Sequence, residues 1–76
     1  NAKLRGAMLN GAVMTNMDLV GADFRDADLR DANLAGSMLM DADFTDADLR
    51  GANLSKTDQR GAKGLPNKFE DDEDED

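Results

Sequence analysis

A large apolar residue recurs at every fifth position over most of this chain. The residue two places earlier is usually alanine, and the residue between them is usually aspartate or asparagine. Ten of the eleven large apolar residues are Leu or Phe and one is Met, so the register is not an accident of composition. The eleven positions are Leu4, Leu9, Met14, Leu19, Phe24, Leu29, Leu34, Leu39, Phe44, Leu49 and Leu54.

Neither regular secondary structure can bury a pattern of this period. An α-helix turns about 100° per residue, so five residues advance a side chain by roughly 140° and form no apolar stripe. Side chains of a flat strand alternate between its faces, so residues five apart lie on opposite sides. A chain that turns a corner once in every pentad can direct every large apolar residue to one axis. We call this large apolar residue the central residue of its pentad. The period therefore predicts short straight segments joined by corners.

The residue two before each central residue should face the same axis, because alternate residues of a strand share a face. Alanine holds most of these slots, and a small residue beside a large one suits a narrow interior. The exceptions are Met17, Ser37 and Thr57. We expect Met14 and Met17 to lie in the core, with the main core formed by Leu19, Phe24, Leu29, Leu34, Leu39, Phe44, Leu49 and Leu54.

A second period sets the number of walls. Residues 22–34 and 42–54 are identical at 11 of 13 positions, and they are offset by 20 residues, or four pentads. Four pentads per coil predict a square cross-section, with Phe24 over Phe44 and Asn33 over Asn53 at the roughly 4.8 Å spacing of paired strands. The predicted fold is therefore all-β, a quadrilateral parallel β-helix of about three coils of 20 residues.

Segments such as Ala22-Asp23-Phe24-Arg25-Asp26 and Ala32-Asn33-Leu34-Ala35-Gly36 resemble the motif of the pentapeptide-repeat family, A-(D/N)-(L/F)-X-X. The resemblance covers about residues 2–62 and implies a right-handed β-helix without catalytic activity. One subgroup of the family mimics duplex DNA and binds DNA gyrase. Other members occur in cyanobacteria and in the thylakoid lumen of chloroplasts, so the resemblance favours one of these locations.

The repeat weakens towards the C-terminus, which divides the chain into a β-helix over residues 1–63 and a cap segment with an acidic tail over residues 64–76. Residues 65–76 contain one lysine and seven acids, a net −6 of the total −8. We expect Leu65, Phe69 or both to fold back over the last coil. The first coil begins in register at Asn1, so we expect a piece of a longer protein, with an N-terminal coil open to end-to-end contact.

Aspartates recur at equivalent positions of successive coils. Asp23 and Asp43 should stack, as should Asp28 and Asp48, and nearby arginines can offset their charge. Asp and Asn side chains accept hydrogen bonds from nearby turn backbone, and we expect this role here. The alternative is calcium binding, but the chain lacks the Gly and Glu of a helix–loop–helix calcium loop. No metal site is predicted.

Apolar residues outside the predicted core indicate a surface for a protein partner. Val20 and Met40 are 20 residues apart and should stack on one wall, with Met38 directed outward beside them. Methionine adapts to varied partners and recurs at binding surfaces. The predicted partner-binding residues are Val20, Met38, Met40, Glu70, Asp71 and Asp72; Met8 and Val13 are further predicted exposed apolar positions.

The chain contains no His and no Cys, and the predicted column leaves no cavity for an active site. We therefore expect no enzyme and no cofactor, and no membrane-spanning segment. The predicted function is a rigid scaffold or interaction module, or a subunit or assembly factor of a larger, photosynthetic complex. The alternative is a DNA mimic directed at gyrase, although arginines interrupt the acidic surface. Direct nucleic-acid binding is not expected, since the net charge is negative.

Overall fold

The computed structural model describes residues 1–66, in which the only regular pairing is an isolated parallel bridge in each pentad. Each bridge joins residues 20 apart, and the bridges form four ladders. One ladder runs through Lys3, Asp23, Asp43 and Lys63. The other three are Met8–Asp28–Asp48, Val13–Asn33–Asn53 and Asp18–Met38–Asp58. The four ladders are the four walls of the predicted column.

Most pentads repeat the same backbone hydrogen bonds. The Leu29 N–H donates to the Asp48 C=O at 2.8 Å, and the Asp48 N–H donates to the Ala27 C=O at 2.9 Å. The corner is closed within the chain, where the Ala32 N–H donates to the Leu29 C=O at 3.0 Å. The residue before that alanine, Asp31, has a φ of 61°. A positive φ at the third residue of a turn belongs to a type II turn and favours Gly, Asn or Asp, which explains the usual fifth residue of the pentad.

The interior is filled by the central residues and the alanines beside them. Phe24 and Phe44 are fully buried and stack with ring centroids 4.6 Å apart and planes 6° from parallel, which confirms the predicted alignment. Leu49 differs from the other expected core residues, since it is half-buried and packs against the core cluster from its margin. The buried apolar residues are Met14, Leu19, Ala22, Phe24, Ala27, Leu29, Ala32, Leu34, Leu39, Ala42, Phe44 and Leu54.

The expectation that Met17 lies in the core is wrong, because Met17 is 41% exposed to solvent. The equivalent slot one coil later holds Ser37, which is buried and donates a 2.7 Å hydrogen bond from Oγ to the Met14 C=O. Ser37 Oγ also accepts a 2.9 Å hydrogen bond from the Met17 N–H. A polar hydroxyl therefore occupies the column below Met17, and the long thioether side chain lies at the surface.

The two ends of the described column differ. Leu4 and Leu9 at the first coil are only half-buried. At the last coil Thr57 and Gln59 hold inward slots, where Gln59 Nε2 donates to Thr57 Oγ1 and Thr57 Oγ1 donates to the Leu54 C=O, both at 2.8 Å. Leu65 packs against the core cluster, as expected for a cap residue, whereas Phe69 lies outside the described residues.

Candidate interaction surface

The residue before each central residue stabilises the corner that follows. In eight pentads its Oδ1 accepts a hydrogen bond from the N–H two residues later, at 3.0–3.3 Å. Both Asp and Asn make this bond, as Asp28 and Asn33 show. The predicted turn role of these side chains is confirmed. Among residues 1–66, no three potential metal ligands lie close enough to share an ion.

Four of these aspartates also bind an arginine of their own pentad. Each arginine donates from Nε to Oδ1 at 2.8–2.9 Å and from a terminal nitrogen to Oδ2 at 2.6–2.7 Å. These bidentate pairs leave neutral patches rather than a continuous acidic wall. The pairs are Asp23–Arg25, Asp28–Arg30, Asp48–Arg50 and Asp58–Arg60.

The arginine hydrogen bonds hold the pKa of all four carboxyls below the ordinary value, and the turn N–H bonds act in the same direction. The Arg50 guanidinium lowers the pKa of Asp48 to about 2. A lowered pKa means that the folded chain binds the proton more weakly than the unfolded chain. The stabilisation is therefore complete above the ordinary value of 3.8 and is lost as the pH falls towards 2.

We expect Asp48→Asn to weaken the pH dependence of stability between about pH 4 and pH 2. Asparagine keeps the Oδ1 acceptor for the turn, as Asn33 and Asn53 do, but cannot titrate. Thermal unfolding followed by circular dichroism across this range checks the prediction. Arg50→Gln is the matched variant. It removes the guanidinium, so it should also weaken the loss of thermal stability between about pH 4 and pH 2. If both variants lost thermal stability below pH 4 as steeply as the parent, the Asp48–Arg50 pair would not be the source of this pH dependence.

Four apolar side chains lie on two stacked pentads, residues 17–21 and 37–41. Met17 and Met38 are exposed, at 41% and 42%, while Val20 and Met40 are half-buried. The Met38 N–H donates to the Met17 C=O at 2.9 Å, which joins the two pentads directly. We call Met17, Val20, Met38 and Met40 the methionine strip. The sequence analysis grouped Val20, Met38 and Met40 on one wall and assigned Met17 to the core. The polar Ser37 beneath Met17 was the signal that could have shown Met17 to lie at the surface.

Two further apolar residues are more exposed but isolated from each other. Met8 and Val13 are 78% and 77% exposed, and they belong to different ladders, opposite Asp28 and Asn33. The predicted tail contacts Glu70, Asp71 and Asp72 lie outside the described residues. No helix within residues 1–66 has the length and hydropathy to cross a membrane.

A family model for pentapeptide repeats, comprising eight copies of the repeat, matches residues 1–36, 18–55 and 27–63. The chain belongs to the pentapeptide repeat family. Members of this family fold as right-handed quadrilateral β-helices, which adds the handedness to the four walls described above. Pentapeptide repeat proteins are generally structural and non-catalytic.

Two solved pentapeptide repeat structures are similar to this one. A pentapeptide repeat protein (Rfr23) from the cyanobacterium Cyanothece 51142 is 36% identical with a TM-score of 0.82, over 88% of this chain and 46% of that one. This chain thus spans about half the length of that protein. A pentapeptide repeat protein, alr5209, from Nostoc Pcc 7120 is 31% identical over 79% of this chain and 62% of that one, with a TM-score of 0.34. No curated protein matches the chain.

Proposed function

We propose that this pentapeptide repeat protein is a rigid, non-catalytic module that binds a protein partner through the methionine strip. The observation that carries the proposal is the grouping of Met17, Val20, Met38 and Met40 on stacked pentads of one wall. Among the described residues, the two walls of Asp23 and Asp28 carry three of the four bidentate ion pairs. Because cross-coil hydrogen bonds hold the backbone of the strip, binding there orders little except side chains, which limits its entropic cost.

The proposed organisation is a β-helix of about three coils over residues 1–63, followed by a cap segment and acidic tail over residues 64–76. The acids Glu70, Asp71 and Asp72 would contribute a second, electrostatic contact to a basic region of the partner. The finer proposal is a subunit or assembly factor of a larger, photosynthetic complex, in a cyanobacterium or in the thylakoid lumen of a chloroplast. Its support is the distribution of the family, to which the similar structure adds only a cyanobacterial source.

The competing function is a DNA mimic that binds gyrase, as one subgroup of the family does. A mimic needs a continuous row of uncompensated negative charge. Here Arg25, Arg30, Arg50 and Arg60 neutralise the aspartates of their own pentads at 2.6–2.7 Å. The ion pairs therefore favour the scaffold function over mimicry.

We expect Met17→Asp combined with Met38→Asp to abolish capture of the partner from a cyanobacterial or thylakoid extract. Buried apolar contacts at the centre of an interface are worth about 2 kcal/mol or more, which corresponds to roughly thirtyfold in affinity. The matched control is Met8→Asp with Val13→Asp, which places the same charges on more exposed residues of other walls. Equal loss with both pairs would contradict the assignment, and inhibition of gyrase supercoiling by the parent protein would favour the mimic.

A further inference from the structure

The wall that carries the methionine strip also carries the excess negative charge of the described column. It is formed by residues 17–21, 37–41 and 57–61, which contain three aspartates and one arginine, a net charge of −2. The side chains of the other three walls contain seven acids and seven bases within residues 1–66, so their charges cancel. The apolar strip and the uncompensated negative charge therefore share one wall.

One position of the pentad accounts for both properties. In four pentads, an arginine two residues after the aspartate binds both carboxylate oxygens, as Arg60 binds Asp58 on this wall. Val20 holds that position after Asp18. Among residues 1–66, the Asp18 carboxylate accepts only the turn hydrogen bond, from the Val20 N–H at 3.2 Å. An apolar residue in place of arginine thus adds to the strip and leaves a charge beside it.

Two aspartates without a cationic partner in the described column border the strip. Asp18 forms the bridge to Met38 of the next coil, and Asp41 directly follows Met40 at a corner with a φ of 62°. Both aspartates are exposed, and within residues 1–66 neither forms an ion pair with Lys or Arg. Interfaces commonly have an apolar centre and a polar rim, and charges at the rim select a partner of opposite charge.

We propose that the partner segment bound by the methionine strip is basic and amphipathic, with apolar side chains on Met17 and Met38 and with Lys or Arg beside Asp18 and Asp41. This inference rests on the proposed function and adds the chemistry of the partner. An amphipathic helix binds by laying its apolar face on an apolar surface, and methionine adapts to the shape of that face.

The same charges argue against a second copy of this chain as the partner. A symmetric dimer places the same surface patch of both subunits in contact. Strip against strip would bring the carboxylates of Asp18 and Asp41 from both copies into one interface. Like charges in an interface oppose association, whereas a basic segment supplies the opposite charge.

Two designed peptides test the charge of the partner. Each is a labelled helix of about five turns, or roughly 18 residues, with Leu on one face. The other face carries Lys in the first peptide and Glu in the second. We expect the Leu/Lys peptide to bind the whole chain at least about tenfold more tightly, measured by fluorescence anisotropy. Equal affinities, tighter binding of the Leu/Glu peptide, or no binding of the Leu/Lys peptide would overturn the proposal.

A pair of substitutions tests whether the two border charges are responsible. Asp18→Asn with Asp41→Asn removes both charges and preserves the backbone contacts. Asn33 makes the same turn hydrogen bond as Asp18, and Asn16 holds the same corner position as Asp41 with a φ of 55°. We expect the Leu/Lys peptide to bind this variant at least about threefold more weakly, as for the loss of two exposed ion pairs.

The matched control is Asp31→Asn with Asp46→Asn. These residues are exposed, hold the same corner position with φ of 61° and 62°, and lie at corners that do not border the strip. The control removes the same net charge, and both variants keep the seven acids of residues 70–76. We expect the control to bind the Leu/Lys peptide as the parent does. Equal weakening in both variants would show attraction to the overall charge and would overturn the proposal.

Met17→Gln with Met38→Gln distinguishes a failure of this inference from a failure of the proposed function. Glutamine is uncharged and similar in length to methionine, and we expect it to abolish binding of the Leu/Lys peptide. If this variant binds the peptide as the parent does, the strip is not the binding site. If it loses binding while Asp18→Asn with Asp41→Asn does not weaken it, the strip stands and the basic partner is wrong. A dimer in sedimentation velocity that the glutamine variant dissociates would assign the strip to a second copy.

Discussion

Replacing Phe44 by alanine should lower the free energy of unfolding by about 3–5 kcal/mol, the range for removing a buried aromatic side chain. Phe44 is fully buried, with 0% of its surface exposed, and it stacks on Phe24 of the preceding coil. The missing ring would leave a cavity inside the column. The neighbouring backbone is held by hydrogen bonds between coils, so it cannot easily move in to fill that cavity. Small domains are stable by about 5–15 kcal/mol in total, so this one change could remove much of the margin. Chemical denaturation followed by circular dichroism measures the effect.

The paired ring allows the stacking contribution to be separated. A double-mutant cycle with Phe24→Ala and Phe44→Ala should give a coupling of about 0.5–1.5 kcal/mol, the usual value for aromatic pairs. Met8→Ala is the control for loss of apolar surface, since Met8 is 78% exposed and should contribute almost nothing. A loss below about 1 kcal/mol for Phe44→Ala would contradict the packed column, because cavities in rigid cores cost more.

Replacing Ala32 by leucine should also destabilise the chain, by about 1–3 kcal/mol, through overpacking rather than through a cavity. Ala32 is 0% exposed and lies beside the central residues of the middle coil. Extra methyl groups there must displace neighbours whose backbone is held by hydrogen bonds to the coils above and below. The measurement is again the free energy of unfolding in denaturant.

The matched control for this variant is Ala12→Leu. Ala12 holds the same slot one coil earlier on the same wall, but it is only half-buried, so a larger side chain can shift towards solvent. We expect a smaller cost for Ala12→Leu than for Ala32→Leu. If Ala32→Leu were as stable as the parent, the column would not be filled as described.

Much of the fold could be predicted because two periods carried independent information. The five-residue period required a corner in each pentad, and the 20-residue period aligned Phe24 with Phe44. The turn role of Asp and Asn followed from the short reach of their side chains. Each of these features depends on contacts within one pentad or between equivalent residues, and such contacts repeat.

The features that were missed depend on interruptions and ends of the repeat. Met17 was assigned to the core because its slot usually faces inward, but Ser37 in the next coil brings a hydroxyl to that part of the column. Leu49 has nearly the same sequence context as Leu29, yet Leu49 is half-buried where Leu29 is buried. Pattern alone could not show that four arginines bind aspartates of their own pentads, because a long side chain reaches several neighbours.

The central claim is that consecutive pentads follow successive walls of one column, so that each coil binds the next through its backbone. Scalar couplings across hydrogen bonds, measured by NMR on isotope-labelled protein, test it most directly. We predict couplings from the Leu29 N–H to the Asp48 C=O and from the Leu34 N–H to the Asn53 C=O, both 2.8 Å bonds. Couplings between residues four apart, as in an α-helix, would contradict the claim.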